Sequence, residues 1–274
     1  MNLARKAILI SCFVSLSQFA AAQEPDVIQL LKDVGARYAF LRNYSDVGDV
    51  LVSSSASGSS GSSAAGSFQT RTSFAIRLAR PHMYKIAWEQ KAGFFDASGV
   101  VRSDGDSTFL TMQGRTTTPE NTELALAGAT GVSSGAAGTV PHIFFDLPGN
   151  SITAMENAAL IGQESIEGDD CYVVKSHSDK LDRTIWISRT SKLIRQVRTD
   201  SSGNFELPEI NFADMTRALE ATGQKATDEA VQAMIDMMAS QAKLQKTMGA
   251  PSISMIETHL QIQTEMPMSP VDFR

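Results

Sequence analysis

The sequence predicts an α+β fold built on an antiparallel sheet. Three observations carry this. An amphipathic helical stretch follows a leader-like N-terminus. Long stretches then alternate apolar and polar residues with period two, joined by short polar turns of the meander kind. A second helical stretch precedes one last strand-like run. The order is helix, strands, an irregular middle, strands, helix, strand, with no internal repeat at a fixed period.

Each element has its own reason. In "EPDVIQLLKDVGARYAFL", Val27, Leu30, Leu31, Val34, Tyr38 and Leu41 fall on one helical stripe, and Pro25 and Asp26 suit its start. "YSDVGDVLVS" reads as a strand. Residues 53 to 67 contain only Ser, Ala and Gly, which predicts a flexible loop at the tip of a long hairpin. "FQTRTSFAIRLARP" puts Phe74, Ile76 and Leu78 on one face, and "MYKIAWEQ" does the same with Tyr84, Ile86 and Trp88. "GVVRSDGDSTFLTMQG" reads as two short strands around an Asp104-Gly105 turn. The stretch from 115 to 140 is expected to hold a short helix and then a Gly/Ser/Ala loop. "PHIFFDLP" is apolar and bounded by prolines, and "SITAMENA" is compatible with a helix. Alternation returns in "ALIGQESIEGDDCYVVKSHS", "RTIWIS" and "KLIRQVRT", with turns at Glu167 to Asp170 and Arg189 to Ser191. In "TDEAVQAMIDMMASQAKLQKTMGAP" an apolar stripe of Val231, Met234, Ile235, Met238 and Ala242 predicts a helix. Thr227 is its expected cap, and Gly249 and Pro251 its stop. This helix belongs to an insertion at about residues 209 to 250. "SISMIETHLQIQTEM" reads as the final strand, and "PMSPVDFR" as a tail.

The N-terminus carries Arg5 and Lys6, an apolar stretch, and Ala20-Ala21-Ala22. This is the pattern of a signal peptide over residues 1–22, cleaved after Ala22, with residues 23–274 as a single exported domain in the periplasm. A weaker lipobox-like pattern ends at Cys12. The formal net charge is −6, and loss of the two basic leader residues takes it to −8. Lys and Arg are not clustered, so nucleic acid is excluded as a partner. Cleavage leaves Cys171 as the one cysteine, so no intramolecular disulfide forms and a hydrophobic core must hold the domain. Cys171 opens the apolar run "CYVV" and reads as a small buried hydrophobe.

Catalytic patterns are hard to find. His82, His142, His177 and His259 do not stand at metal-ligand spacing with other His, Cys or carboxylates. No G-x-S-x-G elbow or H-E-x-x-H motif occurs, and "GATGVSSGAAG" lacks the Lys of a phosphate loop. Ser240 and Lys243 make an S-x-x-K without its companion motifs. Asp104 with Asp106, and Asp169 with Asp170, read as turn acids. No cofactor is expected. One compositional feature stands out: 8 of the 12 Met lie between residues 215 and 268. Met suits a surface that adapts to varied apolar partners, although core filling under the helix is the favoured account of Met234, Met237 and Met238.

The segment "IGQESIEGDDCYVVKSHSDKLDRTIWISRTSKLIRQVRT" resembles a recurrent pattern of the LolA-like superfamily of periplasmic proteins. A strand pair marked by Gly162, Gly168, Cys171 and Tyr172 leads to Trp186-Ile187, a turn, and Leu193-Ile194-Arg195. "RPHMYKIAWE" followed by "VVRSDGDSTFLTMQG" is similar to the first half of the same families, where Pro81 and Lys85 take the expected spacing before an Asp-Gly hairpin. The resemblance spans most of residues 26 to 200 and the last strand. It is nearest to uncharacterised members rather than to the lipoprotein carriers themselves.

The resemblance implies an incompletely closed antiparallel half-barrel whose apolar concave face is covered by helices. It further implies binding of a lipid or an acylated lipoprotein without catalysis. An arginine of an early strand would hold the lid, with Arg71 and Arg77 as candidates. On this reading Phe74, Ile76, Leu78, Tyr84, Ile86, Trp88, Phe109, Trp186, Met234 and Met238 line the apolar groove. One acyl chain of about 16 carbons, at roughly 0.8 kcal/mol per methylene, supplies on the order of 10 kcal/mol before ordering costs. The alternative is a regulatory or scaffold module that binds a periplasmic or membrane protein through the Met-rich helix. A secreted hydrolase is the third reading.

Overall fold

The computed structural model describes residues 24–55, 68–92, 95–136, 138–147, 155–178, 181–201, 212–221, 226–229, 231–232, 235–236 and 252–274. In chain order the elements are α1 (Val27–Phe40), β1 (Asn43–Ser55), β2 (Phe68–Ala79), β3 (Met83–Ala92), β4 (Phe95–Asp104), β5 (Thr108–Met112) and β6 (Arg115–Thr117). Then come α2 (Thr122–Val132), α3 (Val140–Phe145), β7 (Ala159–Ile166), β8 (Asp169–His177), β9 (Leu181–Ser188), β10 (Ile194–Ser201), α4 (Phe212–Ala221) and β11 (Ser252–Thr264). A 3-10 turn at Pro270–Phe273 follows.

All eleven strands join one antiparallel sheet in the order β6-β5-β4-β3-β2-β1-β11-β10-β9-β8-β7. The chain starts at the centre and meanders outward from β1 to β6. It crosses through α2 and α3 to the far edge and meanders inward from β7 to β10. β11 then slots between β10 and β1, so the last strand joins the two meanders. Among the described residues β6 and β7 are the edges, and the sheet is an open half-barrel. Local sequence makes the tight turns: Glu167 and Gly168 both take positive φ (50° and 81°), as a two-residue hairpin needs.

Helices cover one face. Asp26 accepts from Gln29 N at 2.8 Å to start α1, and Leu30, Leu31, Val34 and Tyr38 are buried. The stripe read from the sequence is the stripe that packs. Asn121 caps α2, which lies against β4 and β5, and α3 lies against α1. Together with the inner sheet face they form one continuous core. The C-terminal turn packs on β3 and β4, and Lys85 Nζ donates to Arg274 O at 2.8 Å. Lys85 alternates with the inward Ile86, so this tail covers the outer face.

The irregular middle does contain the expected short helix as α2, and "PHIFF" supplies α3. Residues 151–154 lie outside the described residues, and 155–158 form a turn rather than a helix. The stretch expected to be a signal peptide and residues 56–67 also lie outside, while 53–55 belong to β1. Of the predicted late helix, residues 228–229, 231–232 and 235–236 are helical, and Val231 N donates to Thr227 O at 2.9 Å. Among the described residues no helix is long and apolar enough to cross a membrane.

Candidate functional site

Side chains alternate along each strand, and the register turns that alternation into rows across the inner face. At one end, Tyr44, Leu78, Tyr84 and Ser103 are directly paired across β1 to β4. Moving along the strands, Ile76 pairs with Ile86, and Phe74 with Trp88. Six of the sequence-predicted groove residues, Phe74, Ile76, Leu78, Tyr84, Ile86 and Trp88, therefore do share one face. All are at most 4% exposed, because α1, α2 and α3 cover them. Two glycines make the tightest part possible. A Cβ at Gly48 would fall 2.5 Å from Phe74 Cζ, and one at Gly99 would fall 2.2 Å from the Trp88 ring. Each aromatic ring occupies space beside a neighbouring strand position that lacks a side chain.

Two predicted groove residues lie elsewhere. Phe109 pairs with Arg102, whose guanidinium carbon sits 4.7 Å over its ring, on the face opposite Val101 and Leu110. Trp186 belongs to a separate cluster with Cys171 and Val173, opposite the inward Ile185 and Ile187. Its Nε1 donates to Glu164 Oε2 at 2.7 Å. The run "IWIS" is buried on both faces, so hydrophobicity alone did not say which side points inward. Burial, with Asp169 beside it, pushes the Cys171 thiol up to about 11. Met234 and Met238 lie outside the described residues.

The helices are held by an arginine, but by neither candidate. Arg71 pairs with Asp49 at 3.7 Å, and Arg77 is exposed; both alternate with the inward residues of β2. Arg80, just past the end of β2, does the bridging. Its Nε donates to Leu41 O at 3.0 Å, and its Nη2 to Tyr38 O at 3.2 Å and Phe144 O at 2.6 Å. The guanidinium also lies 4.7 Å from the Phe144 ring centroid. One cation thus joins the C-terminal carbonyls of α1 and α3, where helix dipoles favour positive charge.

A polar layer crosses the inner face, and sequence reading missed it. Asp46, Glu257 and His259 are essentially fully buried. Asp46 Oδ2 meets His259 Nδ1 at 2.5 Å and accepts from Tyr44 Oη at 2.8 Å. His259 Nε2 faces Glu257 Oε1 at 3.4 Å. Glu257 Oε2 accepts from the Thr139 hydroxyl at the start of α3. Burial opposes a charged His259, but Asp46 and then Glu257 override it and raise its pKa to about 10. Arg183, whose pKa burial lowers, faces Glu257 from β9. Two carboxylates are thus matched by two cations. Burial, reinforced by Asp46, pushes the Tyr44 phenol up as well. The signal was there: acids and a His occupy inward positions of "YSDVGDV" and "IETHLQI", once register is known.

At the other end of the half-barrel the described residues present an exposed row. Phe68, Ser54, Ile253, Ser201 and Leu181 form one cross-strand row, each paired with the next. Phe68, Ile253 and Leu181 are 55%, 42% and 41% exposed. They edge a cavity of about 910 Å³ at the strand ends, lined by both faces of the last rows, including Ser53, Ser254, Asp200 and His177. That volume lies within the ~300–1,000 Å³ of small-molecule sites. At about 6.7 Å per two residues, the row of Tyr44 is about 33 Å farther in.

No family model and no curated protein matches the chain. Solved structures do. A domain from Vibrio parahaemolyticus named as an outer membrane lipoprotein-sorting protein is 9% identical, with 90% of this chain and 95% of that one covered and a TM-score of 0.33. A DUF1329 family protein from Desulfovibrio piger is 9% identical over 91% and 98%, with a TM-score of 0.32. LprF from Mycobacterium bovis is 9% identical over 90% and 96%, with a TM-score of 0.41. At these values the half-barrel rests on the strand order, not on the similarities.

Proposed function

We propose that this protein is a non-catalytic periplasmic carrier that takes up the acyl chain of a lipid or an acylated lipoprotein at the open end of its half-barrel. The observation that carries the reading is the rim row. Three large apolar side chains stand exposed on an inward ladder and edge a cavity of about 910 Å³. Scattered exposed apolar residues are ordinary; three on one ladder row, beside a cavity, suggest a ligand surface.

A fluorescent fatty acid tests this. The purified protein is expected to bind the probe, and Phe68→Asp and Ile253→Asp are each expected to weaken binding about tenfold or more, since each puts a charge beside the chain. Both positions are exposed, so the fold should persist. Equal binding by both variants would remove the rim from the site. Capture of a protein partner with no lipid exchange would favour the scaffold reading.

A further inference from the structure

We infer that the outer face of β3 and β4 holds a peptide-docking site for a short segment with an acid directly before an aromatic residue, and that the chain's own tail, Ser269 to Arg274, occupies it in cis. The site lies on the face opposite the core, and the inference does not depend on the carrier reading.

The tail is seated as a bound peptide would be. Pro270–Phe273 form a 3-10 turn that packs on β3 and β4. Phe273 is completely buried there, whereas Val271, two residues before it, is 73% exposed. Ser269 builds the turn: its amide donates to Asp272 Oδ2 at 2.7 Å and its hydroxyl at 3.1 Å. Those donors, and after them the cations Arg77 and Lys85, hold the Asp272 carboxyl below its usual range. Lys85 Nζ donates to Arg274 O at 2.8 Å, and Arg274 Nε to Asp104 Oδ2 at 3.3 Å. On the strands, Arg77, Lys85 and Arg102 stand in one cross-strand row. The acid of the tail meets that basic row, and the aromatic ring beside it is the anchor.

This seating is exchangeable. The tail's ion pair lies at the surface, with the Arg274 side chain 65% exposed, and such pairs contribute little. Asn43 binds the backbone of Met266 at 2.7 and 2.8 Å, so the tail stays tethered beside the site when Phe273 leaves it. The surface also runs on past the tail. The next two outer rows, Ala75-Ala87-Val100 and Ser73-Glu89-Ser98, carry mostly small side chains and floor a groove of about 590 Å³ that no tail residue lines. A partner segment that fills both the Phe273 site and this groove buries more surface than the tail does, which is what displacement requires.

Fluorescence anisotropy with a labelled peptide covering Met268 to Arg274 tests the site in the full chain. A tethered segment competes at an effective concentration on the order of mM, so the parent should bind the peptide weakly. Phe273→Ala empties the anchor position and is expected to bind the peptide at least about tenfold tighter than the parent. A peptide that itself carries Phe273→Ala should not bind, and Lys85→Glu added to the Phe273→Ala chain should abolish binding. Asp272→Ala, at a partly exposed position, loosens the tail without emptying the anchor. It should give intermediate binding, so the result does not hang on the fold of one variant. No gain of peptide binding in either variant would overturn the site. So would a gain that survives loss of the peptide's aromatic ring or the Lys85→Glu change, because nonspecific adhesion heeds neither.

Discussion

A single histidine carries the clearest pH signature. His259 has a folded pKa near 10 against an ordinary 6.5, so its contribution to stability is complete below pH 6.5 and is lost as pH rises toward 10. The urea midpoint is expected to fall between about pH 7 and 10, and the difference between the parent and His259→Gln should shrink over the same range. A difference independent of pH would mean that His259 is neutral in the fold. Arg80 gives a second expectation. Its two nitrogens serve carbonyls from two helices, a geometry that the single ammonium of lysine does not reproduce. Arg80→Lys should lower stability by about 1–3 kcal/mol in denaturant titration. Neither residue could be picked out from sequence. Asp46, Glu257 and His259 sit among polar neighbours that look solvent-facing until the pairing of β1 with β11, more than 200 residues apart, puts them inside. Arg80 matters only because α1 and α3 end beside it.

Elements were more legible where a period was clean. Helix α1 and the inward faces of β2 and β3 follow directly from spacing, because each buries one face and wets the other. β9 did not, since Thr184 through Ser188 are buried throughout and alternation vanishes. Trp186 consequently belongs to the outer face. Trp186→Phe is expected to cost about 1 kcal/mol through loss of the bond to Glu164 while leaving acyl binding intact. Ile86→Ala in the core should cost about 2–5 kcal/mol. Loss of acyl binding in Trp186→Phe beyond what its lower stability explains would put the Trp186 face in the site after all. At β1, Gly48 has no room for a side chain: a Cβ would stand 2.1 Å from Thr258 O as well as against Phe74. Gly48→Ala should destabilise by about 1–3 kcal/mol, read as a lower thermal midpoint.

The whole molecule has two unlike ends. At one, α1 and α3 are tied down by Arg80 over a tightly packed apolar floor. At the other, among the described residues, three exposed apolar side chains edge a cavity whose lining is otherwise serine, polar and charged, with a buried polar layer behind it. The sequence resemblance anticipated an open half-barrel with helices over its inner face. It did not anticipate that six of the predicted groove residues, Phe74, Ile76, Leu78, Tyr84, Ile86 and Trp88, would be buried core, nor that an exposed apolar row would lie at the far end, because exposure depends on where the helices stop. The central claim is that an acyl chain is carried. Native mass spectrometry on protein gently purified from the periplasm tests it most directly. Co-purified lipid, lost in Ile253→Asp, is the expected result; a uniformly unliganded parent protein that also fails to take up a fluorescent fatty acid would contradict the claim.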